Sequence, residues 1–326
     1  MEVLSPQDCT PPESGAAVTI GAYDGVHLGH RYVIAQLQRR AAGLGLATVV
    51  VTFDRHPAMV VRPESAPRLL TDLPQKLELL ADCGVDRTLV IPFDERRSNE
   101  SAEDFVHTVL VGALGARLVV VGEDFHFGHG RKGNVALLRD LGVAQGFVTE
   151  GVELAELGDA GPVSSTRIRE LLAKGDVVEA AALLGRPHQV RGEVVVGKRR
   201  GASLLGFPTA NVAVPVEIAL PPDGVYAGRY ARPDGTQFDA AISIGPPPTF
   251  PAPEGATVGP LVEAYLLDFD GDLYGEAARV SFVARLRPQQ RFEVVDDLVA
   301  QMQADVAEAR RLLVEAPVPR SGDPVP

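Results

Sequence analysis

Val18-Thr19-Ile20-Gly21-Ala22-Tyr23-Asp24-Gly25-Val26-His27-Leu28-Gly29-His30 decides the reading of this chain. A short apolar run, a glycine-punctuated turn and a sequence able to open a helix at about His30 make a strand–turn–helix unit. A helix N-terminus presents unpaired N–H groups and a partial positive charge, and so favours anions. His27 and His30, three residues apart, share one face of the first turn. Gly21, Gly25 and Gly29 lack Cβ atoms, which lets a phosphate approach the backbone closely. The chemistry implied is a grip on nucleotide phosphates, with charge neutralised as one is displaced. A lone strand–Gly–helix turn is common in α/β proteins, so the surroundings have to carry the rest.

Outward from this unit the same alternation continues. Val18–Ile20, Ala47–Phe53, Arg87–Pro92 and Leu118–Gly122 are short, Val-rich and apolar, as buried parallel strands are. Between them Arg31–Gly43, Gln75–Asp82, Ala102–Leu114 and Asn134–Leu141 read as helices. Strand alternating with helix predicts an α/β fold whose ligands bind at the carboxyl ends of the strands. Ser164–Leu184 reads as helix, turn, helix, with Ser165 or Thr166 as cap, and Gly185-Arg186-Pro187 as a boundary. Beyond it Val190–Val196, Gly224–Tyr230, Phe238–Ile244, Leu261–Phe269 and Ala277–Phe282 are strands separated by Gly, Pro and Asp turns, the pattern of a small antiparallel β-barrel. A C-terminal helix follows over Glu293–Val314, with Val295, Leu298, Val299, Met302, Val306 and Leu313 along one stripe. The expected layout is one domain over 16–185 and a second over 186–316, with 1–15 and 317–326 as flexible tails.

Bulk properties bound the function. The chain has 326 residues, too many for one ordinary core, and is 45% hydrophobic and 23% charged. A net charge of −12 lacks the basic footprint of a nucleic-acid binder. Its two cysteines, Cys9 and Cys83, suggest neither a disulfide nor a cysteine metal site. Met1–Gly15 has no basic region followed by an apolar stretch, and no apolar run approaches membrane-spanning length, so a cytoplasmic protein without a membrane partner is expected.

Three further segments fall where an open α/β sheet places its ligands. These are Thr52-Phe53-Asp54-Arg55-His56-Pro57, then Val121-Gly122-Glu123-Asp124-Phe125-His126-Phe127-Gly128 leading into Gly130-Arg131-Lys132-Gly133, and Val163-Ser164-Ser165-Thr166-Arg167-Ile168-Arg169. The last offers hydroxyls and two guanidinium groups at a helix N-terminus, a second anion site. Taken singly each has a plainer reading. Ser-Ser-Thr is often only a cap, His56 before a proline a turn residue, His107 structural, and Phe125 and Phe127 core. His126 and His129 lack a third ligand at sensible spacing, which argues against zinc.

Together and in order, the four segments resemble the adenylyltransferase half of bacterial bifunctional riboflavin kinase/FAD synthetases, a branch of the HxGH nucleotidyltransferases. The resemblance implies a Rossmann-like nucleotidyltransferase domain. It implies His27 and His30 at the α-phosphate of ATP, with Gly21, Tyr23, Asp24, Gly25 and Gly29 around the nucleotide. Ser164, Ser165, Thr166, Arg167 and Arg169 would hold the β- and γ-phosphates, and His56, Asp124, Phe125 and Phe127 the flavin. The phosphate of FMN is then the nucleophile, and catalysis is alignment and charge stabilisation.

The second half resembles the kinase part of the same family through Leu205-Gly206-Phe207-Pro208-Thr209-Ala210-Asn211 and Val262-Glu263-Ala264-Tyr265. It implies Thr209 and Asn211 as hard ligands for Mg²⁺, Phe207 against the flavin, and Glu263 as the catalytic base. Pro222–Tyr226, Asp272–Glu276, Arg285–Pro288 and Arg291-Phe292 recur in the family in this order, so the resemblance spans about residues 16–314. The chain departs from the pattern in the flap 197–205, in the proline-rich stretch 246–260, at Arg55 where proline is common, and at Tyr23 where phenylalanine is. The reading implied is phosphorylation of riboflavin to FMN and adenylylation of FMN to FAD. A paralogue with a weakened or altered kinase half, a non-catalytic flavin sensor and an HxGH transferase for another substrate stand beside it.

Overall fold

The computed structural model describes residues 1–153, 163–196, 209–245 and 261–315. Phe207, the departures over 197–205 and 246–260, and the tail 317–326 lie outside the described residues. The chain divides into two compact units between Ser165 and Thr166.

The first unit is an open, all-parallel sheet in the order β1-β4-β3-β2-β5-β8. Its strands are β1 (Glu2–Leu4), β2 (Ala16–Ile20), β3 (Ala47–Phe53), β4 (Arg87–Ile91) and β5 (Ala116–Gly122). A small hairpin, β6 (His126–Phe127) and β7 (Gly133–Asn134), precedes β8 (Val148–Val152). The crossovers carry α1 (Leu28–Leu44), α3 (Leu73–Asp82) and α6 (Val135–Gln145), with short α2 (Ala58–Val61), α4 (Glu95–Ser98) and α5 (Ala102–Phe105) between. All five residues of β2 are buried, as a central strand covered on both faces requires. Strand order reverses around β2: β3 and β4 build outward on one side, and the chain returns to place β5 on the other. The crevice at such a reversal, outside the carboxyl ends, is where open sheets bind ligands.

Helix α1 buries Val33, Ile34, Leu37 and Ala41 and stops at Gly45, whose left-handed φ of 67° suits a C-cap. It opens at Leu28, before the expected His30, because His27 itself caps it. Three further expectations change. Glu2–Leu4, inside the segment expected to be a flexible tail, pairs with β4 as an edge strand. The Ala102–Leu114 helix is α only to Phe105 and continues as a π-helix over Val106–Ala113, burying Val106, Val109 and Leu110. Strand β8 went unpredicted.

The second unit holds α7 after its first residue (Ser165–Lys174), α8 (Val177–Leu184) and a closed barrel. Ser165, expected as a cap, is the first helical residue. The helical pair falls with the barrel, where Arg285 donates to the Lys174 and Asp223 carbonyl oxygens. Barrel order is β10-β13-β12-β11-β14-β9, antiparallel throughout. The strands are β9 (His188–Val195), β10 (Ala210–Ala213), β11 (Gly224–Ala231), β12 (Gln237–Ile244), β13 (Leu261–Leu266) and β14 (Ala277–Pro288). Strand β10 was not anticipated, and β14 runs past Phe282, pairing with both β11 and β9. Two register shifts against β11 bend it, the device by which a long strand turns a barrel corner.

Along the expected stripe of the terminal helix α9 (Val295–Glu315), Leu313 is buried and Leu298, Val299, Met302 and Val306 are half-buried. Val295 is 48% exposed, whereas Asp305 and Ala309 are buried. Arg287 of β14 accounts for the buried Asp305: its guanidinium forks onto that carboxylate, Nε to Oδ1 at 2.9 Å and Nη2 to Oδ2 at 2.7 Å. Gln301 adds a third bond to the same carboxylate at 3.0 Å. Removing one partner of a buried ion pair strands the other charge. Asp305→Ala should therefore destabilise the barrel unit by about 3 kcal/mol, read as a lowered midpoint in chemical unfolding of the intact chain; an unchanged midpoint would refute the clamp.

Candidate active sites

The turn from β2 into α1 is held by buried contacts. The Asp24 carboxylate accepts from the Leu70 amide at 2.9 Å and the Thr71 amide at 3.1 Å. The Thr71 hydroxyl accepts in turn from the Gly25 amide at 3.1 Å. Gly25 has a φ of 85°, but Tyr23 at 50° and Val26 at 38° are also left-handed, where a side chain is strained. Tyr23 is buried, its hydroxyl 2.7 Å from Thr19 Oγ1 and its ring 4.9 Å from that of His30. It braces a histidine and does not offer its phenol to a ligand.

His27 caps α1 by accepting the His30 amide on Nδ1 at 3.3 Å. That fixes Nδ1 as an acceptor and leaves Nε2 to donate. The two imidazoles stack with centroids 3.6 Å apart. Burial pushes His30 well below the ordinary histidine range, and the charges of His27 and Lys76 push it the same way. Its Nδ1 is buried with no hydrogen-bond partner. Gly21 and Gly29 serve packing: a Cβ at Gly29 would lie 3.1 Å from the Val163 carbonyl oxygen and 3.2 Å from the His27 ring, and one at Gly21 3.1 Å from the Tyr23 ring.

Two of the later motifs reach this turn. The Ser165 hydroxyl donates to the Asp24 carbonyl oxygen at 2.9 Å, and Ser164 precedes it, half-buried. Thr166, Arg167 and Arg169 continue into α7 and belong to the second unit. His56 accepts the Ala58 amide on Nδ1 at 3.1 Å, so it is a turn residue, and it also lines a small pocket with Asp24, Asp54, Arg55, Thr71 and Lys76. At the end of β5, next to β2, Asp124 is exposed and Phe125 half-buried. Phe127 stacks on Phe125 at 5.5 Å but is itself in the core against Phe105. His126 and His129 bind the Asp124 and Ser98 carbonyl oxygens respectively.

Lys76 went unrecognised in the sequence. It is buried, and the available signal was Leu73 and Leu80, three and four residues away on its helix face.

In the barrel, register puts Glu263 of β13 directly opposite Asn211 of β10 on one side and Ser243 of β12 on the other. Burial raises the Glu263 carboxyl above its usual value. Asn211 is buried and donates Nδ2 to the Thr209 carbonyl oxygen at 3.4 Å, leaving its amide oxygen free to accept. Ser243 Oγ accepts from Gln289 at 2.9 Å. Among the described residues, no three His, Cys, Asp or Glu side chains group as metal ligands, and no helix is long and apolar enough to cross a membrane.

A parallel sheet with crossover helices, then a closed antiparallel barrel and a terminal helix, is the layout of a nucleotidyltransferase joined to a barrel phosphotransferase. Residues 9–167 match the FAD synthetase family and residues 184–313 the riboflavin kinase family. The chain is 40% identical to the bifunctional riboflavin kinase/FMN adenylyltransferase of Pseudomonas fluorescens, over 93% of this chain and 94% of that one. It is 37% identical to the enzyme of the same name from Escherichia coli K12, over 92% and 93%. A solved structure described as a macrolide-efflux protein from Streptococcus pneumoniae superposes with a TM-score of 0.83 at 28% identity, covering 95% of this chain and 99% of that one. The chain belongs to the family of bifunctional riboflavin kinase/FMN adenylyltransferases.

The packing around Gly29 makes a direct prediction. Gly29→Ala should cut FAD formation from FMN by about tenfold or more, since displacing reacting groups by about 1 Å costs up to a hundredfold. Assay of FMN adenylylation in the purified variant checks it, and wild-type rates would show that the His27 ring tolerates the methyl group.

Proposed function

We propose that the first unit transfers the adenylyl group of ATP to the phosphate of FMN, releasing pyrophosphate, and that the barrel transfers the γ-phosphoryl group of ATP to the 5′-hydroxyl of riboflavin. The observation that carries the first half is the stacked histidine pair at the N-terminus of α1, with His30 held below its ordinary range by burial. An FMN phosphate oxygen attacks the α-phosphorus, and the bond to the leaving pyrophosphate breaks. His27, whose Nδ1 already accepts the His30 amide, offers Nε2–H to the α-phosphate. His30 and the Leu28 and Gly29 amides at the start of α1, with Gly21 and Gly25 behind them, supply the remaining donors. Ser164, Ser165, Thr166, Arg167 and Arg169 are assigned to the β- and γ-phosphates, and Asp124, Phe125 and His56 to the flavin. Phe127, Tyr23 and Asp24 act by bracing these groups.

In the barrel, Glu263 takes the proton of the ribityl hydroxyl as that oxygen attacks the γ-phosphorus. A carboxyl raised by burial is a stronger base for this purpose than an exposed one. Mg²⁺ fits the neutral oxygen donors of Thr209 and Asn211, which suit a hard cation that keeps its waters and shares the phosphates of ATP; bound there it would neutralise their charge. Phe207 is assigned to the flavin by resemblance alone. We read the protein as a cytoplasmic enzyme whose partners are the small molecules riboflavin, FMN and ATP.

Chromatographic separation of flavins tests the assignment. Glu263→Ala should abolish FMN formation from riboflavin while FAD still forms from supplied FMN, and His30→Ala should do the reverse. Loss of both activities in either folded variant would refute two separate sites. For the pH dependence, Glu263 must be deprotonated to act, so riboflavin phosphorylation should fall as pH drops through its raised value. The acid limb then lies above the ordinary glutamate range; a limb within that range would count against Glu263 as base.

A further inference from the structure

Lys76 is the buried charge that the proposed chemistry leaves unused. Its ammonium has three protons and three acceptors: the Ala22 carbonyl oxygen at 3.2 Å, Thr52 Oγ1 at 3.1 Å and the Phe53 carbonyl oxygen at 2.7 Å. Thr52 Oγ1 itself donates to the Ala22 oxygen at 3.2 Å, which closes the cage. No proton remains for a ligand, so Lys76 can act only through what it holds. Ala22 lies just past the end of β2, immediately before the strained Tyr23, and Phe53 is the last residue of β3, immediately before Asp54. We propose that Lys76 is a positioning residue for adenylyl transfer, its ammonium tying the carboxyl ends of β2 and β3 together so that the turn carrying His27 and His30 keeps its geometry. This rests on the histidine pair acting in adenylyl transfer, as proposed above.

The electrostatic surroundings agree. Burial lowers Lys76 to about 8, while Asp24, from the turn after β2, and Asp54, from the loop after β3, pull it back up. Its charge also reaches His30 on α1 and helps keep that ring neutral. Arg55 and His56 line the same pocket. As pH rises through about 8 the ammonium loses a proton. The amine then turns a lone pair toward one of three oxygens that were accepting from it. The cage that fixes Ala22 and Phe53 loosens, and the protection of His30 from protonation no longer matters at that pH.

The test uses the full-length protein. In the wild type, kcat for FAD formation from FMN should decline above pH about 8, with little change in KM for FMN or ATP. In Lys76→Met that alkaline limb should be absent, kcat at pH 7 should be lower by about tenfold or more, and the His30 imidazole, followed by NMR among the seven histidines, should protonate at a higher pH than in wild type. Riboflavin phosphorylation should be unaffected. A Lys76→Met enzyme with wild-type kcat and an unmoved His30 midpoint would overturn the proposal. Should Lys76→Met not fold, the wild-type profile decides: a kcat flat to pH about 9.5 is incompatible with a lysine that titrates near 8 in this role. His30→Asn separates the two ideas. If it stays fully active, the reading of the histidine pair fails; if it is inactive while Lys76→Met is normal, only the role of Lys76 fails.

Discussion

Everything at the first site depends on one carboxylate accepting backbone amides. The turn after β2 forces Tyr23 and Val26 into left-handed backbone conformations, at a cost of roughly 1–3 kcal/mol each. Asp24 sits between them and accepts from the amides of Leu70 and Thr71. Hydrogen bonds to a charged group contribute about 1.5–3 kcal/mol each, enough to offset such strain. The Asp24 main chain also receives the Ser165 hydroxyl, so residues 141 positions apart in sequence are fixed to one turn. The stacked histidines, the cap of α1 and the close packing at Gly29 all follow from the shape this turn is made to hold.

Both proposed sites hold a titratable group whose burial shifts it toward its neutral form. His30 is pushed down by burial among an imidazole and an ammonium. Glu263 is pushed up by burial alone. For the histidine this favours an N–H donor over a full positive charge; for the glutamate it makes a better proton acceptor. Neither effect shows in the formal net charge of −12, which counts each side chain whatever its surroundings.

Much of the architecture was legible because it is periodic. Strand β3 is continuous and apolar, and its predicted limits, Ala47–Phe53, are those observed. Strand β1 was missed because three residues within a proline-rich segment carry no period. Strand β8 was missed because Val148-Thr149-Glu150-Gly151-Val152 places a charge and a glycine in its middle. The π-helix was illegible because burial of Val106, Val109 and Leu110 with His107 and Thr108 exposed is a spacing that an α-helix gives equally well. In the site, residue types at the turn suggested His27 and His30. Tyr23 and Phe127 read as ligand contacts because an aromatic in a motif looks the same whether it faces a pocket or the core. Lys76 and Asp305 escaped for one common reason: a charge on an apolar helix face is ordinarily a solvated residue, and only the partner, Thr52 in one case and Arg287 in the other, shows that it is buried.

The two units differ in when they can be completed during synthesis. The sheet of the first is built from neighbouring crossovers and is whole once β8 has emerged; the turn after β2 then waits for Ser165 to reach Asp24. The barrel closes by pairing β9, its first strand, with β14, its last, so its earliest residues have no complete set of partners until nearly the whole chain exists. Such long-range closure is slow, and domains made earlier on the ribosome fold earlier. A nascent chain therefore passes through a stage in which the nucleotidyltransferase unit is folded while the strands of the phosphotransferase are still unpaired and in need of protection from aggregation.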